Sequence, residues 1–585
     1  MTEQTTGRLK VRLVDGLLIL IMAVLAGCGL IYEYLLSHYA GRVLGAVEHA
    51  IFATIGIMIV AMGFGAFAAR KIKDAFSGFA WLELYICFIG ASSILFIAAA
   101  IGFTFHLPQL ISDTFNLPAD VLPRGGWVEQ LHQIARYLPY VSAACLGFFI
   151  GIEIPLIARV REALYQKHLT HNAGTVYGAD YIGAGIGAAL WIGWMMSLDI
   201  NQAAVITAST NLLIGFLILL LFWQKIRWRL LLTACQLLML AFVIVLSAYG
   251  QNWMNSFTDM LYRDQVVLQQ QTQYQQIVLT ERNLQLNNNP TQTSVLQLYL
   301  NGRLQFSSMD ERIYHEMLIH PVMASAPKHD SVLLIGGGDG LALREIFKWP
   351  VHSVDMVELD PMMISLFKQP RQFLPIRLAK QVIELNANSL SDERLNLMYA
   401  DAFNQVDQLV AQGRIYDVIV VDLPDPNHPD LNKLYTNHFY TRLQQLLNAD
   451  GVLVVQSTSP YHAQDAFIAI GKTIADANFS AVEQYHQNVP SFGQWGWSVA
   501  VKQGLPVSER LKHSLAAQTM PVIKTQWLTW PIVLASFNFP QGFYKNYVNI
   551  KVNRLGSQQL FNYHDQAWRK QQGMVNLNSN QQISP

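Results

Sequence analysis

Charge is scarce in this 585-residue chain. Asp, Glu, Lys and Arg make up only 14% of it, and 40 basic residues balance 40 acidic ones. With a formal net charge of zero, nothing points to a nucleic-acid partner. Cysteine is scarcer still. Cys28, Cys87, Cys145 and Cys235 all lie in apolar stretches, with neither disulfide nor metal-ligand spacing. No metal site is expected. Apolar residues are abundant and unevenly spread, so the averages hide two different halves.

The first half carries about seven apolar stretches, near 15–38, 48–69, 79–104, 138–159, 176–198, 202–223 and 229–249. Each approaches the ~20 residues that cross a bilayer. The first is too long for a cleaved signal peptide, and others follow it. Gly183 to Ala189, Gly-Ala-Gly-Ile-Gly-Ala-Ala, suits close helix packing in lipid. The stretch from His106 to Arg136 is polar enough for a loop.

Basic residues fall in alternate loops: Arg8, Lys10 and Arg12; Arg70, Lys71 and Lys73; Arg159, Arg161 and Lys167; Lys225, Arg227 and Arg229. The positive-inside rule then puts the N-terminus in the cytoplasm of a cell-membrane protein. Seven spans leave the second half on the other side, and one span more or fewer returns it to the cytoplasm. Glu33, Glu83, Glu153 and Asp180 lie in or beside these spans. They read either as acids paired with neighbouring helices or as a polar site for a cationic ligand.

From about Gln251 the composition turns water-soluble. Alternating apolar positions predict strands between Gln265 and Thr280 and at Val295–Leu300, with turns at Asn287–Pro290 and Asn301-Gly302. This makes a small β-rich domain over 251–325. Asp310 to Met317 opens a helix. An α/β domain follows over 326–505, then a C-terminal extension over 506–585 whose Asn/Gln/Ser-rich end, from about Asn576, reads as disordered.

The α/β domain is organised around Ser331–Gly340, Ser-Val-Leu-Leu-Ile-Gly-Gly-Gly-Asp-Gly, which predicts a strand, a tight turn and a helix. Glu358 ends the next apolar run, where an acid can take two ribose hydroxyls. Asp339 inside the turn would repel phosphates, so the turn suits a cationic or neutral nucleoside, such as a sulfonium bearing an amine. Asp401 and Asp422 end two later runs, and Asp425 stands between two prolines. Acids at the C-terminal ends of successive strands make an anionic pocket. Runs near Phe479–Tyr485 and Trp495–Val501 predict a closing antiparallel pair.

In order and separation, Tyr274-Gln275, Asn301-Gly-Arg-Leu-Gln305, Asp310-Glu-Arg-Ile-Tyr-His-Glu316, Gly336-Gly-Gly-Asp-Gly340, Glu358, Asp401 and Asp422-Leu-Pro-Asp-Pro426, followed by Leu434-Tyr435 and Phe439-Tyr440, resemble the spermidine synthases, or polyamine aminopropyltransferases. The whole chain looks like that family's membrane-bound branch. The resemblance implies a multi-pass α-helical membrane domain, a small β domain and an α/β Rossmann-like domain of methyltransferase type. It implies transfer of the aminopropyl group of decarboxylated S-adenosylmethionine to putrescine or a related diamine, giving spermidine and methylthioadenosine, with no tightly bound cofactor. A homo-oligomer is compatible with it.

By the same resemblance, Gln275, Gln305, His315 and Glu358 hold the nucleoside, beside the turn of Gly336 and Gly338. Asp401 binds the adenine amino group, and Asp339 the aminopropyl ammonium. Tyr314, Asp422 and Asp425 hold and activate the acceptor, with Tyr435 lining the same cleft. Leu423-Pro424 stands where soluble members usually carry small hydroxyl residues, and His428-Pro-Asp430 where they usually carry Gly-Pro-Ala. Two rival readings are a methyltransferase using S-adenosylmethionine, against which Asp339 argues, and a polyamine transporter or sensor with a non-catalytic synthase-like domain.

Overall fold

The computed structural model describes residues 2–44, 47–115, 126–165, 171–262, 264–284 and 293–571. The turn expected at Asn287–Pro290 and the tail from Asn576 lie outside them. The chain divides into two compact units, Met1–Val266 and Val267–Pro585.

Among the described residues, the first unit holds seven long helices, Thr2–Leu44, Val47–Ala68, Ala75–Thr114, Gly126–Tyr165, Asn172–Gly193, Ile200–Leu221 and Arg229–Tyr262. Six helices among the described residues are long and apolar enough to cross a membrane. Asn172–Gly193 is the one that falls short: Asp180 and its glycines dilute an otherwise apolar run. The expected loop from His106 to Arg136 is largely helix, since one helix runs on to Thr114 and the next begins at Gly126. The last helix likewise continues to Tyr262, past the change in composition at Gln251.

Polar contacts gather one end of this bundle. The Arg161 guanidinium meets Asp15 at 2.7 Å and donates to Asn172. Arg159 donates to the carbonyls of Ala69 and Ile72. The Arg227 amide donates to Ser77 Oγ. The helices pass alternately away from this end and back. Asn172–Gly193 leaves it and Ile200–Leu221 returns to it, so the fifth helix runs the length of the bundle despite its lower apolarity. It packs closely on the first: a Cβ on Gly183 would lie 1.9 Å from the carbonyl oxygen of Ala23. Of the acids in this unit, buried Glu83 accepts a hydrogen bond from Asn211 at 3.0 Å.

The second unit opens with a four-stranded sheet, β1 (Gln265–Gln271), β2 (Gln276–Leu284), β3 (Thr293–Leu300) and β4 (Arg303–Ser307), paired in sequence order. Helix Glu311–Ser325 leads to the main sheet: β5 (Ser331–Gly336), β6 (Ser353–Glu358), β7 (Leu395–Tyr399), β8 (Tyr416–Asp422), β9 (Leu447–Gln456), β10 (Ala481–Val489) and β11 (Gly493–Val501). Their spatial order is β10-β11-β9-β8-β5-β6-β7. The five from β9 to β7 are parallel, and β10 and β11 close the β9 side as an antiparallel pair.

The central strands read as continuous apolar runs because both faces are covered. Val332, Leu333, Leu334 and Ile335 are fully buried, each stabilising the fold by roughly 1.5–3 kcal/mol. The chain winds from β5 outward to β7, then returns to lay β8 on the other flank of β5. That reversal is the crevice where open α/β sheets bind ligands.

The extension after β11 is folded into this unit as far as it is described. It carries helices Val507–Ala516, Trp530–Ala535 and Gln559–Gln571. Phe543, Ile550 and Leu560 join the apolar cluster that holds Tyr435 and Phe439.

Candidate active site

The site grows from the β5/β8 crevice. Gly336 pairs with Asp422 across the two strands, so the glycine turn and the second acid are neighbours by register. Gly336 has φ +82°, and a Cβ there would sit 2.1 Å from the Asp422 carbonyl oxygen, so only glycine fits. Gly338 faces the other way: its Cβ would lie 2.8 Å from Glu358 Oε2. The turn is therefore flanked by one carboxylate on each side.

On the β6 side, Glu358 Oε1 accepts the Asp360 amide at 3.0 Å. Burial pushes the Glu358 carboxyl up to about 7. Asp339 accepts the Leu341 amide at 2.9 Å, and burial raises it to about 6, partly offset by His315. Both carboxyls are held half-ready, in surroundings that favour a cation over bare negative charge.

On the β8 side, Tyr314 donates to Asp422 Oδ1 at 2.7 Å. Burial raises Asp422, against the opposing pull of His315 and Tyr314. His315 Nδ1 lies 3.0 Å from Glu311 Oε2. Burial disfavours its charged form, but Glu311, Asp339 and Asp422 more than offset that and raise its pKa. Asp425 takes Gln456 Nε2 at 2.8 Å and lies 3.3 Å from His564 Nε2. Burial would raise its carboxyl, but His564, Gln456 and Arg303 together hold it below the usual range. Tyr435 donates to the Pro424 carbonyl at 2.9 Å and so fastens the loop between the two aspartates.

Tyr314, His315, Gly336, Gly338, Asp339, Glu358, Asp422, Asp425 and Tyr435 thus gather along one sheet edge. Three other expected residues hold protein partners. Gln275 donates to Asp360 Oδ2 at 3.0 Å, and the Asp360 amide donates in turn to Glu358. Gln305 donates to the Arg303 carbonyl within its own strand. Asp401 caps helix Ala402–Ala411 through the Phe403 amide and meets Lys433 at 2.6 Å.

Several residues at this edge gave no signal in the sequence. Asp360 caps the helix after β6 and gathers Thr272 and Gln275. Gln456 ends β9, and attention to strand ends could have found it had amides been weighed with acids. His564 reaches Asp425 across 139 positions, which no local pattern announces.

A Rossmann-like sheet with acids gathered at its switch point is an architecture that binds its ligand in that crevice. The relatives make this specific. The spermine/spermidine synthase domain matches residues 311–512. A polyamine aminopropyltransferase of Shewanella oneidensis is 53% identical over 560 residues, covering 96% of each chain. One from Oceanobacillus iheyensis is 30% identical, covering 92% of this chain and 95% of the other. A crystal structure of spermidine synthase in complex with the transition-state analogue AdoDATO aligns over 48% of this chain and 88% of that one, at 24% identity and a TM-score of 0.41. The chain belongs to the polyamine aminopropyltransferase family.

Proposed function

We propose that this chain transfers the aminopropyl group of decarboxylated S-adenosylmethionine to putrescine, giving spermidine and methylthioadenosine. The family carries the reaction type. One observation carries the substrate class: Asp339, Glu358, Asp422 and Asp425 line one crevice, where burial leaves the first three raised and the basic groups facing them, His315, His564 and Arg303, answer the four carboxyls only in part. A sulfonium bearing an ammonium, and a diamine, supply that missing positive charge.

Glu358 takes the ribose and Asp339 the aminopropyl ammonium. Asp422, oriented by Tyr314, accepts the proton that the attacking ammonium must lose, since ammonium has no lone pair. Asp425 holds the diamine in line with the carbon next to sulfur. The amine forms the new C–N bond as the C–S bond breaks, the sulfur keeps that bond pair, and one proton leaves per turnover. An assay of the full chain with decarboxylated S-adenosylmethionine and a panel of diamines tests this. Methylthioadenosine released fastest with putrescine is the expected result, and no release with any amine overturns it.

The first unit is an integral membrane domain in this reading, with its basic end in the cytoplasm. Counting the fifth helix with the six apolar ones gives seven passages in this reading, which take the last helix out at the opposite end. Reporters fused after Gln251 and after Pro585 check it. Signals from outside are expected, and a cytoplasmic signal from both overturns the charge reading.

A further inference from the structure

The C-terminal extension does more than cover apolar surface. Residues 551–571 are fastened to the loop that carries Asp425 and Tyr435. Asn553 Nδ2 donates to the carbonyls of Asn432 and Tyr435 at 3.2 and 3.1 Å. The Asn437 amide donates to the Asn553 carbonyl, and the Phe561 amide to Asn432 Oδ1. Asn432 Nδ2 also donates to the Ser557 carbonyl. The result is one buried imidazole, His564, placed against one buried carboxylate, Asp425, with 1% and 10% of their side chains exposed.

The contact has an unusual feature. His564 Nε2 lies 3.3 Å from Asp425 Oδ2 and also 3.1 Å from the indole N–H of Trp568, one helical turn on. An imidazole nitrogen carries either a proton or a lone pair. With a proton it donates to Asp425 and leaves Trp568 unanswered. Without one it accepts from Trp568 and gives the carboxylate no hydrogen bond. The two partners thus compete, and the charge on Asp425 decides between them.

Resting on the aminopropyltransferase reading, we propose that His564 is a positioning residue of the acceptor site. Its Nε2–H orients the Asp425 carboxylate and keeps it ionised for the incoming diamine, while Trp568 receives Nε2 in the alternative proton state. No bond is made or broken at His564 itself. The other charged groups facing this pair are Arg303 from β4, which also faces Asp565 and lies 6.0 Å over the Trp568 ring, and the Tyr314 and Tyr435 phenols with Asp422. His462 stacks on Trp568 at 6.3 Å between ring centroids. A carboxylate so buried needs its partners to stay charged. Without His564 the acid limb of acceptor use belongs to a carboxyl that protonates at higher pH.

The test uses the full chain in detergent or nanodiscs, with decarboxylated S-adenosylmethionine and putrescine across pH 5.5–9.5. His564→Ala is expected to lower kcat/KM for the diamine about ten- to hundredfold, the range for a lost hydrogen bond to a charged group. The acid limb moves to higher pH and the donor KM stays put. His564→Gln, which keeps an N–H donor, recovers part of the loss. Trp568→Phe removes the competitor and leaves the acid limb at or below its wild-type position. An unmoved acid limb in His564→Ala, or a loss shared equally by donor and diamine, overturns the proposal. Histidine-selective 15N NMR reads the contact without turnover. The Nε2 of His564, assigned by its disappearance in His564→Gln, should be protonated in the wild type and lose that proton in Asp425→Asn. An unchanged signal overturns the proposal even if the wild type transfers nothing, the outcome that would sink the functional reading instead.

Discussion

The second unit buries two sets of carboxylates and treats them in opposite ways. Beneath helix Glu311–Ser325, every acid is answered. Glu311 takes Arg344 at 2.8 Å and His315 at 3.0 Å. Glu345 takes His320, Arg344 and Lys348. Glu316 accepts three successive amides, those of Gln526, Trp527 and Leu528. Burial would raise Glu311 and Glu345, but their partners hold both below the usual carboxylate range. At the crevice, Asp339, Glu358 and Asp422 have few donors, and burial leaves them raised. A satisfied buried acid belongs to the scaffold. An unsatisfied one beside a crevice awaits a cationic ligand. Asp425 stands between the sets, because His564 and Gln456 supply from the protein what the other crevice acids lack.

Breaking the scaffold set should cost stability. Arg344→Met leaves Glu311 and Glu345 buried without their shared guanidinium, and should destabilise the second unit by about 3–5 kcal/mol. Denaturation of the full chain should show the loss, while donor affinity of the folded protein is largely kept. A fold as stable as the wild type would show that the network is ornamental.

Breaking the crevice set should cost chemistry with little stability. Asp422→Asn and Asp425→Asn should each lower turnover at least ~100-fold, the lower range for lost acid–base catalysis. Thermal melting should change little. Near-normal turnover in both variants would remove the crevice acids from the mechanism.

The finest distinction lies in pH. Asp339 and Glu358 hold their protons up to about 6 and about 7, well above a free carboxyl. Donor affinity, read by calorimetry, should therefore rise as pH climbs through 6 and 7 and level off above. The ligand-free fold should change in the opposite sense. Unfolded carboxylates release their protons near pH 4 and the folded ones later, so these two groups withdraw stability as pH rises from about 4 to about 7 and withdraw no more above it. Asp339→Asn should flatten both curves and stabilise the ligand-free protein at pH 7 by about 1–2 kcal/mol. It should also narrow the preference for decarboxylated S-adenosylmethionine over S-adenosylmethionine, mainly by losing the former. Equal affinity of the wild type for both donors would refute the role of Asp339.

Much of this was legible in the chain. Apolar runs of bilayer length, the β-α alternation and acids at strand ends are local patterns, and local patterns report local structure. Ser331–Gly340 announces its own turn, because glycines after a buried strand suit a backbone that must take positive φ, as Gly336, Gly337 and Gly340 do. Register then carried Gly336 to Asp422, which periodicity alone cannot do. What stayed hidden was decided by contacts between distant segments. The polar stretch after His106 is helical to Thr114 and again from Gly126, and Thr104 meets His132 at 3.1 Å between those two helices. Gln275 meets Asp360, and Asp401 meets Lys433, pairings that no local pattern announces. The extension after Val501 reads as an appendage, yet it docks through Asn553 and Asn432 and brings His564 to Asp425. Sequence determines which segments are strands, helices and turns through forces acting over a few residues. Only the tertiary fold decides which buried acid meets a cation of the protein and which is left for a substrate, because that depends on distances no linear order contains.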